Sequence, residues 1–310
     1  MDATKIKGYV LGFVAAATYG LNPLFALPLM GEGMDVPSIL FYRYLLALPI
    51  VGLMMVARKK SLRVDRHQLR VLLVLGILMA LSSVALFESY RFMDAGIAST
   101  ILFVYPIMVA IIMGVVFHER ISGVTIGCLL MAVLGICLLY KGSDGATLSL
   151  IGTLIVIMSA LCYALYIVFV NHSCVVNVPT LTVSFYVLLF GLIPILGDIA
   201  MSGTMSHPAG FGQWGRILCL ALLPTAISFL CTTMAIAYIG STPTAILGAM
   251  EPVTAVVVGV TVFGEILTSR DVVGLVLIIV AVSLVIVGDR VGTALLRIRK
   301  LFPIHHHKNP

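Results

Sequence analysis

The stretch AGIASTILFVYPIMVAIIMGVVFHERIS (residues 95–122) has a second copy later in the chain, STPTAILGAMEPVTAVVVGVTVFGEILT (residues 241–268). In both copies a proline, Pro106 or Pro252, is followed thirteen residues later by a glutamate. Both copies are too apolar for the core of a soluble domain. An internal repeat of apolar helices is typical of membrane transport proteins.

The composition excludes a water-soluble fold. The chain of 310 residues is 61% hydrophobic and 10% charged, with a mean hydropathy of +1.15, whereas soluble domains are about 25% charged. The apolar runs are continuous rather than alternating, which argues against a β-barrel. Because a spanning helix needs about 20 apolar residues, the sequence predicts an all-α integral membrane protein with ten transmembrane helices. The predicted helices cover residues 8–30, 37–56, 70–90, 98–117, 123–140, 149–170, 179–201, 216–238, 244–263 and 272–288.

The basic residues predict the orientation in the membrane. With the N-terminus inside, fourteen of the 19 Lys and Arg residues fall on the cytoplasmic side, four fall opposite and Arg43 lies within a span. Cytoplasmic segments are enriched in Lys and Arg, so both termini are predicted to be cytoplasmic in an inner (plasma) membrane. The net charge of +6 thus reflects topology and contact with membrane lipids, and we expect no nucleic acid partner.

The duplication extends beyond the opening stretches. Tyr19 corresponds to Tyr163 at an offset of 144, and the pair 41–42, Phe-Tyr, corresponds to the pair 185–186 at the same offset. The proline–glutamate copies are offset by 146, which a two-residue insertion explains. The nearly constant offset predicts two structural repeats of five helices each.

Five is an odd number, so the second repeat begins on the opposite side of the membrane from the first. The sequence therefore predicts inverted repeats, related by an axis in the membrane plane, with a binding site near the midplane. The predicted units are a first five-helix repeat at 1–145, a second, inverted repeat at 146–290 and a basic cytoplasmic tail at 291–310. Glu119 and Glu265, which end their spans at opposite faces, are predicted to have structural roles, capping a helix or binding loop amides.

Four segments resemble a known family. TYGLNPLFALP (18–28), FYRYLLALPIV (41–51), SALCYALYIVFVN (159–171) and EPVTAVVVGVTVFGE (251–265) are similar, in this order, to motifs of the drug/metabolite transporter superfamily, specifically its EamA-type ten-span carriers. The resemblance covers about residues 8–288. It implies a secondary carrier of small metabolites, often an exporter of amino acids or related compounds.

Two charged residues within predicted spans are candidates for substrate binding. A charge in a span is costly, so it usually faces a partner or a wet cavity. Arg43 could bind a carboxylate or phosphate in a bidentate manner, or it could pair structurally with carbonyls or a carboxylate. Glu251, which precedes Pro252, could line a cavity beside a kink and exchange a proton, or it could stabilise the bend.

Four further residues complete the predicted site. Asn22 precedes a proline, and its amide could bind substrate or satisfy backbone groups that the proline leaves free. Glu88 could face water near the outer mouth, where Arg91 lies at i+3. Tyr163 is favoured among the tyrosines because its position matches the family pattern. Tyr105 precedes Pro106 as Glu251 precedes its own proline, so one copy has a neutral side chain and the other a charged one.

The function that these features predict is secondary transport of a small metabolite by alternating access, with export favoured and protons as a candidate coupling ion. The alternative is a membrane-embedded enzyme that acts on a lipid or a small polar substrate. Such enzymes concentrate catalytic side chains at one face, whereas the histidines here are scattered. The sequence contains no GxxxxGK[ST] motif, its six cysteines suggest no metal site, and no cofactor is expected. The expected assembly is a monomer or a weak dimer.

Overall fold

The computed structural model describes residues 3–118, 123–139, 149–239, 244, 247–281 and 283–284. This part of the chain consists of helices and their connections and contains no strand, which confirms the all-α prediction. The predicted tail at 291–310 and Glu119 lie outside the described residues. The helices are α1 (Ala3–Gly20), α2 (Asn22–Gly31), α3 (Val36–Ala57), α4 (Arg66–Ser89), α5 (Ala95–Leu102), α6 (Tyr105–Val116), α7 (Gly123–Leu139), α8 (Leu150–His172), α9 (Thr180–Ser202), α10 (Phe211–Leu220), a π-helical turn (Ala221–Ile227), α11 (Ser228–Ile239), α12 (Met250–Phe263) and α13 (269–281).

Seven helical stretches in the described residues are long and apolar enough to cross a membrane. They are Thr4–Gly31, Val36–Ala57, Arg66–Ser89, Ala95–Val116, Leu150–Val170, Thr180–Ser202 and Phe211–Thr232. Shorter helices, α7, α12 and α13, lie in the other three predicted spans. The protein is thus a multi-pass membrane protein, and the count of ten spans remains a prediction.

Prolines interrupt four of the predicted spans. Pro23 follows the break between α1 and α2, and Pro106 follows the break between α5 and α6. Pro224 lies within the π-helical turn, and Pro252 lies in the first turn of α12. Proline lacks a backbone N–H and its ring collides with the preceding turn, which disrupts the helix at these four positions. Pro28, Pro49 and Pro194, in contrast, lie inside helices that continue through them.

The helices pack in reciprocal pairs. The third predicted span (α4) packs on the sixth (α8), and the first (α1) packs on the eighth (α11). Likewise α4 packs on α9, while α3 packs on α10 and the π-helical turn. Helices α5 and α12, which hold the two copies of the repeated stretch, pack on each other. Contacts that exchange in this way are expected when two similar halves face each other across a two-fold axis.

The outer surfaces of the helices are apolar, as a lipid environment requires. Leu53 and Val56 on α3 are 72% and 75% exposed, and Leu130 on α7 is 61% exposed. The buried core, in contrast, contains large aromatic side chains such as Tyr44 and Phe87. Exposed leucine and valine on this scale would be unfavourable in water, but they suit contact with hydrocarbon.

Glu265 joins the two copies of the repeated stretch. Its Oε1 accepts a hydrogen bond from the backbone N–H of Ala95, the first residue of α5, at 3.1 Å. Asp94 precedes this helix but forms no side-chain cap. Burial raises the pKa of the Glu265 carboxyl, and the charge of Asp94 acts in the same direction. Glu265 therefore caps a helix of the opposite half, whereas the sequence suggested the next helix or a loop.

We expect Glu265→Ala to lower the free energy of unfolding by about 1 kcal/mol, the typical loss of a helix cap. Thermal unfolding of the purified protein in detergent measures this change. Glu265→Gln is the matched control, because its amide oxygen can still accept the hydrogen bond from Ala95. Equal melting temperatures for the alanine variant and the natural protein would contradict the capping role.

Candidate functional site

Arg43 on α3 is buried, with 5% of its surface exposed. Its Nε donates a hydrogen bond to Oγ1 of Thr225 at 3.0 Å. The Thr225 hydroxyl in turn donates to the carbonyl of Leu220 at 3.0 Å, five residues earlier, which is the spacing of a π-helix. The π-helical turn thus positions Thr225 and, through it, the arginine.

The guanidinium of Arg43 has no carboxylate partner in the described residues. The two ion pairs found there join Arg91 to Glu88 and Arg216 to Glu32. The guanidinium carbon lies 5.6 Å from the ring centre of Phe87, a distance at which a cation and an aromatic face attract each other. Within the described part of the chain, neither Nη of Arg43 forms a hydrogen bond, so both remain available for an anionic group.

A small cavity lies beside Arg43, between the two halves of the chain. Its wall includes Tyr44 and Ser83, whose hydroxyls share a hydrogen bond of 3.0 Å. Both predicted repeats contribute to it, through α1, α3 and α4 on one side and α8, α9, the π-helical turn and α11 on the other. The lining residues are Tyr19, Arg43, Tyr44, Met79, Ser83, Tyr166, Ser184, Val187, Leu188, Thr225 and Phe229.

An aromatic array connects the cavity to the break between α5 and α6. Tyr166, in the cavity wall, stacks on Tyr163 with ring centroids 5.9 Å apart and planes 6° apart. Tyr163 meets Tyr105 edge to face at 4.6 Å, and Tyr105 meets Phe103 at 6.0 Å. The structure therefore brings together Tyr105 and Tyr163, which the sequence placed in one site.

Glu251 lies in the first turn of α12 and is partly buried. Its carboxylate is close enough to interact electrostatically with the phenols of Tyr19, Tyr105 and Tyr163. A Cβ on Gly20 of α1 would lie 2.5 Å from the Glu251 carbonyl oxygen, so only glycine permits this approach of the two backbones. The helix N-terminus favours the negative charge, but Glu251 forms no ion pair with a described residue.

Asn22 lies at the break between α1 and α2 and is 3% exposed. Its Nδ2 donates to the carbonyl of Tyr19 at 2.9 Å, which satisfies a backbone group that Pro23 leaves without its helical donor. Its Oδ1 is buried and has no hydrogen-bond partner among the described residues. An orphaned buried acceptor is costly, so this oxygen is available to a ligand donor or a water molecule.

Glu88 stands apart from the cavity. It lies at the end of α4, where its side chain is 30% exposed and forms an ion pair of 3.4 Å with Arg91. Asp35 and Asp198 contribute further negative charge nearby. Glu88 therefore lies at the end of α4, away from the other predicted site residues, and it pairs with Arg91 as the i+3 spacing suggested.

The five remaining predicted residues lie around one central region. Arg43 lines the cavity directly, and Tyr163 contacts its wall through Tyr166. Tyr19 connects the two charged residues, because it lines the cavity together with Arg43 and its neighbour Gly20 lies against the backbone of Glu251. The arrangement therefore has a cationic end and an anionic end, separated by tyrosines.

Three hydroxyl residues of the cavity wall, Thr225, Ser83 and Ser184, were missed by the sequence reasoning. Ser228, three residues after Thr225, forms a helix–helix contact instead, in which its Oγ donates to the carbonyl of Ala15 at 2.9 Å. The signal for Thr225 was its place directly after Pro224. Ser83 had no comparable signal, since a serine within an apolar span is usually a packing residue.

Comparison with known proteins also points to a membrane transporter. An "Uncharacterized transporter" of Archaeoglobus fulgidus is 26% identical over 262 residues, which cover 84% of this chain and 89% of that protein. A solved crystal structure of a protein with 17% sequence identity superposes with a TM-score of 0.66, covering 91% of this chain and 97% of the other. At that identity the match supports the fold alone.

The family model described as "EamA-like transporter family" matches two segments, residues 6–141 and 150–287. Together the two segments cover most of the chain. The resemblance that the four sequence motifs indicated is therefore confirmed, and the chain belongs to the EamA-like transporter family.

Proposed function

We propose that this protein is a secondary transporter that moves a small zwitterionic metabolite, an amino acid or a related compound, by alternating access. The observation that carries the proposal is that Arg43 and Glu251, two charged residues near Tyr19, form no ion pair with any described residue. Arg43 and Tyr19 line a cavity between the two halves of the chain, and the backbone of Glu251 lies against Gly20, the neighbour of Tyr19. Family membership favours transport over the alternative of a membrane-embedded enzyme.

The substrate would supply the partners that the protein does not. A charge inside a membrane protein is stabilised only by a counter-charge, by hydrogen bonds or by water. A substrate carboxylate could accept hydrogen bonds from both Nη groups of Arg43, in the bidentate geometry that arginine favours. An ammonium group could approach Glu251 and the faces of Tyr105 and Tyr163, since cations are attracted to aromatic faces.

Alternating access requires two halves that move relative to each other. The two family matches are similar in length and divide the chain close to the predicted boundary of the repeats at 1–145 and 146–290. The reciprocal helix contacts support the same division. With ten spans and both termini in the cytoplasm of a plasma membrane, the halves are inverted, and opening at one face would accompany closure at the other. Export is the direction that the family resemblance favours.

A ligand screen of the purified protein tests the proposal. We expect amino acids to raise the thermal unfolding temperature, because a ligand stabilises the state that binds it. The methyl ester lacks the carboxylate and the N-acetyl derivative lacks the ammonium group, so each should stabilise less than the parent amino acid. Counterflow in proteoliposomes should then show transport of the stabilising compound. Absence of both stabilisation and counterflow with every small metabolite would overturn the proposal.

Arg43→Gln is expected to weaken binding of the stabilising amino acid at least tenfold, since charge-assisted hydrogen bonds to the carboxylate are lost. The variant should also lose the preference for the amino acid over its methyl ester, while the preference over the N-acetyl derivative remains. Thermal-shift titrations measure both preferences. Arg91→Gln, at an exposed arginine, is the control. An unchanged preference against the ester would show that Arg43 does not bind the carboxylate.

Glu251→Gln is expected to reverse this pattern, losing the preference over the N-acetyl derivative and retaining the preference over the ester. If protons are the coupling ion and Glu251 carries them, the variant should still exchange substrate in counterflow but lose transport driven by a pH gradient. Glu88→Gln is the matched control at a carboxylate outside the central region. Full pH-driven uptake by the Glu251 variant would rule out proton coupling through this residue.

A further inference from the structure

Helix α3 forms hydrogen bonds with the segment between α9 and α10, which lies in the other half of the chain. The hydroxyl of Tyr42 shares a hydrogen bond of 2.7 Å with Nδ1 of His207. One turn earlier, Oγ of Ser38 accepts a hydrogen bond from the backbone N–H of Ser206 at 3.0 Å. Both partners lie between α9 and α10. The start of α3 is therefore fastened to the connection that follows α9.

Helix α9 forms the same kind of contact in the opposite sense. The hydroxyl of Tyr186 donates to the carbonyl of Leu62 at 2.9 Å. One turn earlier, Oγ1 of Thr182 donates to the carbonyl of Ser61 at 3.0 Å. Both carbonyls lie in the connection between α3 and α4. The start of α9 is therefore fastened to the connection that follows α3.

The two contacts obey the repeat in the sequence. Ser38 corresponds to Thr182, and Tyr42 corresponds to Tyr186, each at an offset of 144. The aromatic neighbours match as well, since residues 41 and 42 meet edge to face at 5.3 Å and 75°. Residues 185 and 186 meet at 5.8 Å and 86°. The Phe-Tyr pair that recurs in the sequence thus marks a repeated contact between the halves.

Under the predicted topology, the two contacts lie at opposite faces of the membrane. Helix α3 begins at the outer face and α9 begins at the inner face, so the Tyr42 contact is outer and the Tyr186 contact is inner. Each contact joins one half to the other, and the central cavity lies between them. Both are formed at once in this structure, and the cavity is small, as expected of a conformation closed at both faces.

We propose that these contacts are reciprocal gates, so that the Tyr42 contact must break for the site to open outward and the Tyr186 contact must break for it to open inward. The proposal rests on the transport function proposed above. It assigns a role in the transport cycle to side chains that lie outside the cavity. Tyr42 and Tyr186 act on the balance between conformations and do not touch the substrate.

The two gates differ in what their tyrosines bind. Tyr42 binds the side chain of His207, whereas Tyr186 binds a backbone carbonyl. Near the outer contact, Asp35 Oδ1 also accepts from the N–H of Ser206 at 3.2 Å. Burial acts to raise the pKa of Asp35, but hydrogen bonds from Ser206 and Ser38 outweigh it and hold the pKa below its usual value. Because the outer hydrogen bond joins two side chains, a substitution at either Tyr42 or His207 removes it. The inner hydrogen bond ends on a backbone carbonyl, so only a substitution at Tyr186 removes it.

Accessibility of a cavity residue tests the proposal. Ser83→Cys, in a full-length background without the native cysteines, places one thiol in the cavity wall. A membrane-impermeant methanethiosulfonate reagent is added to right-side-out and to inside-out membrane vesicles. We expect Tyr42→Phe to speed modification from the outside and Tyr186→Phe to speed it from the inside. Loss of one neutral hydrogen bond predicts a change of about fivefold.

Three further variants make the test specific. Tyr9→Phe, on the exposed face of α1, removes a phenol hydroxyl that belongs to neither contact. It should therefore change neither modification rate. His207→Ala breaks the outer contact from the exposed connection, so it remains informative if Tyr42→Phe fails to fold. Adding His207→Ala to Tyr42→Phe should produce little further change, because both substitutions remove the same hydrogen bond.

The outcomes separate the gates from the substrate. The gates are overturned if both tyrosine variants speed modification from the same face, or if neither variant changes a rate by more than Tyr9→Phe does. Reciprocal changes with the faces exchanged support the gates and reverse the predicted orientation. The reagent needs no substrate, so reciprocal accessibility without stabilisation or counterflow by any small metabolite would support the gates and overturn the proposed transport of small metabolites.

Discussion

Inside a bilayer, backbone N–H and C=O groups that lack a hydrogen bond cannot face lipid, and this constraint governs the structure. Each helix break exposes such groups, so each break must lie inside the protein. The breaks marked by Pro23, Pro106, Pro224 and Pro252 meet this requirement together. Helix α1 packs on both α12 and the π-helical turn, and α5 packs on α12. The prolines thus gather the irregular backbone in the interior of the bundle.

The same constraint explains why the polar side chains lie where they do. Asn22 and Thr225 adjoin prolines, and each donates to a carbonyl near its own break, Asn22 to Tyr19 and Thr225 to Leu220. Once these backbone groups are satisfied, the side chains still have polar atoms to offer. Thr225 accepts from Arg43, and Oδ1 of Asn22 has no hydrogen-bond partner among the described residues. The breaks therefore create a polar region where a substrate can bind within an otherwise apolar bundle.

Much of this could be predicted from the sequence, because it depends on patterns along one chain. Hydropathy located the helices, and the nearly constant offset predicted a repeat, which the reciprocal helix contacts support. The prolines next to Asn22, Tyr105 and Glu251 indicated that these residues lie in the central region of the bundle. Which residues meet across helices could not be predicted, because crossing angles and the widened turn around Pro224 decide it. The partnership of Arg43 with Thr225, and the lack of an ion pair between Arg43 and Glu251, therefore emerged only from the structure.

The two halves share their inter-helix contacts but differ in their charged residues. The contacts that we propose as gates are duplicated, at Tyr42 and at Tyr186. The charged parts occur once, because the repeat counterpart of Arg43 at an offset of 144 is Val187, which also lines the cavity, and the counterpart of Glu251 is Tyr105. Two copies of Arg43 would place like charges in one small cavity and repel each other. A symmetric frame with one cation and one anion avoids that repulsion and gives the site a direction, which a substrate with two different ends can match.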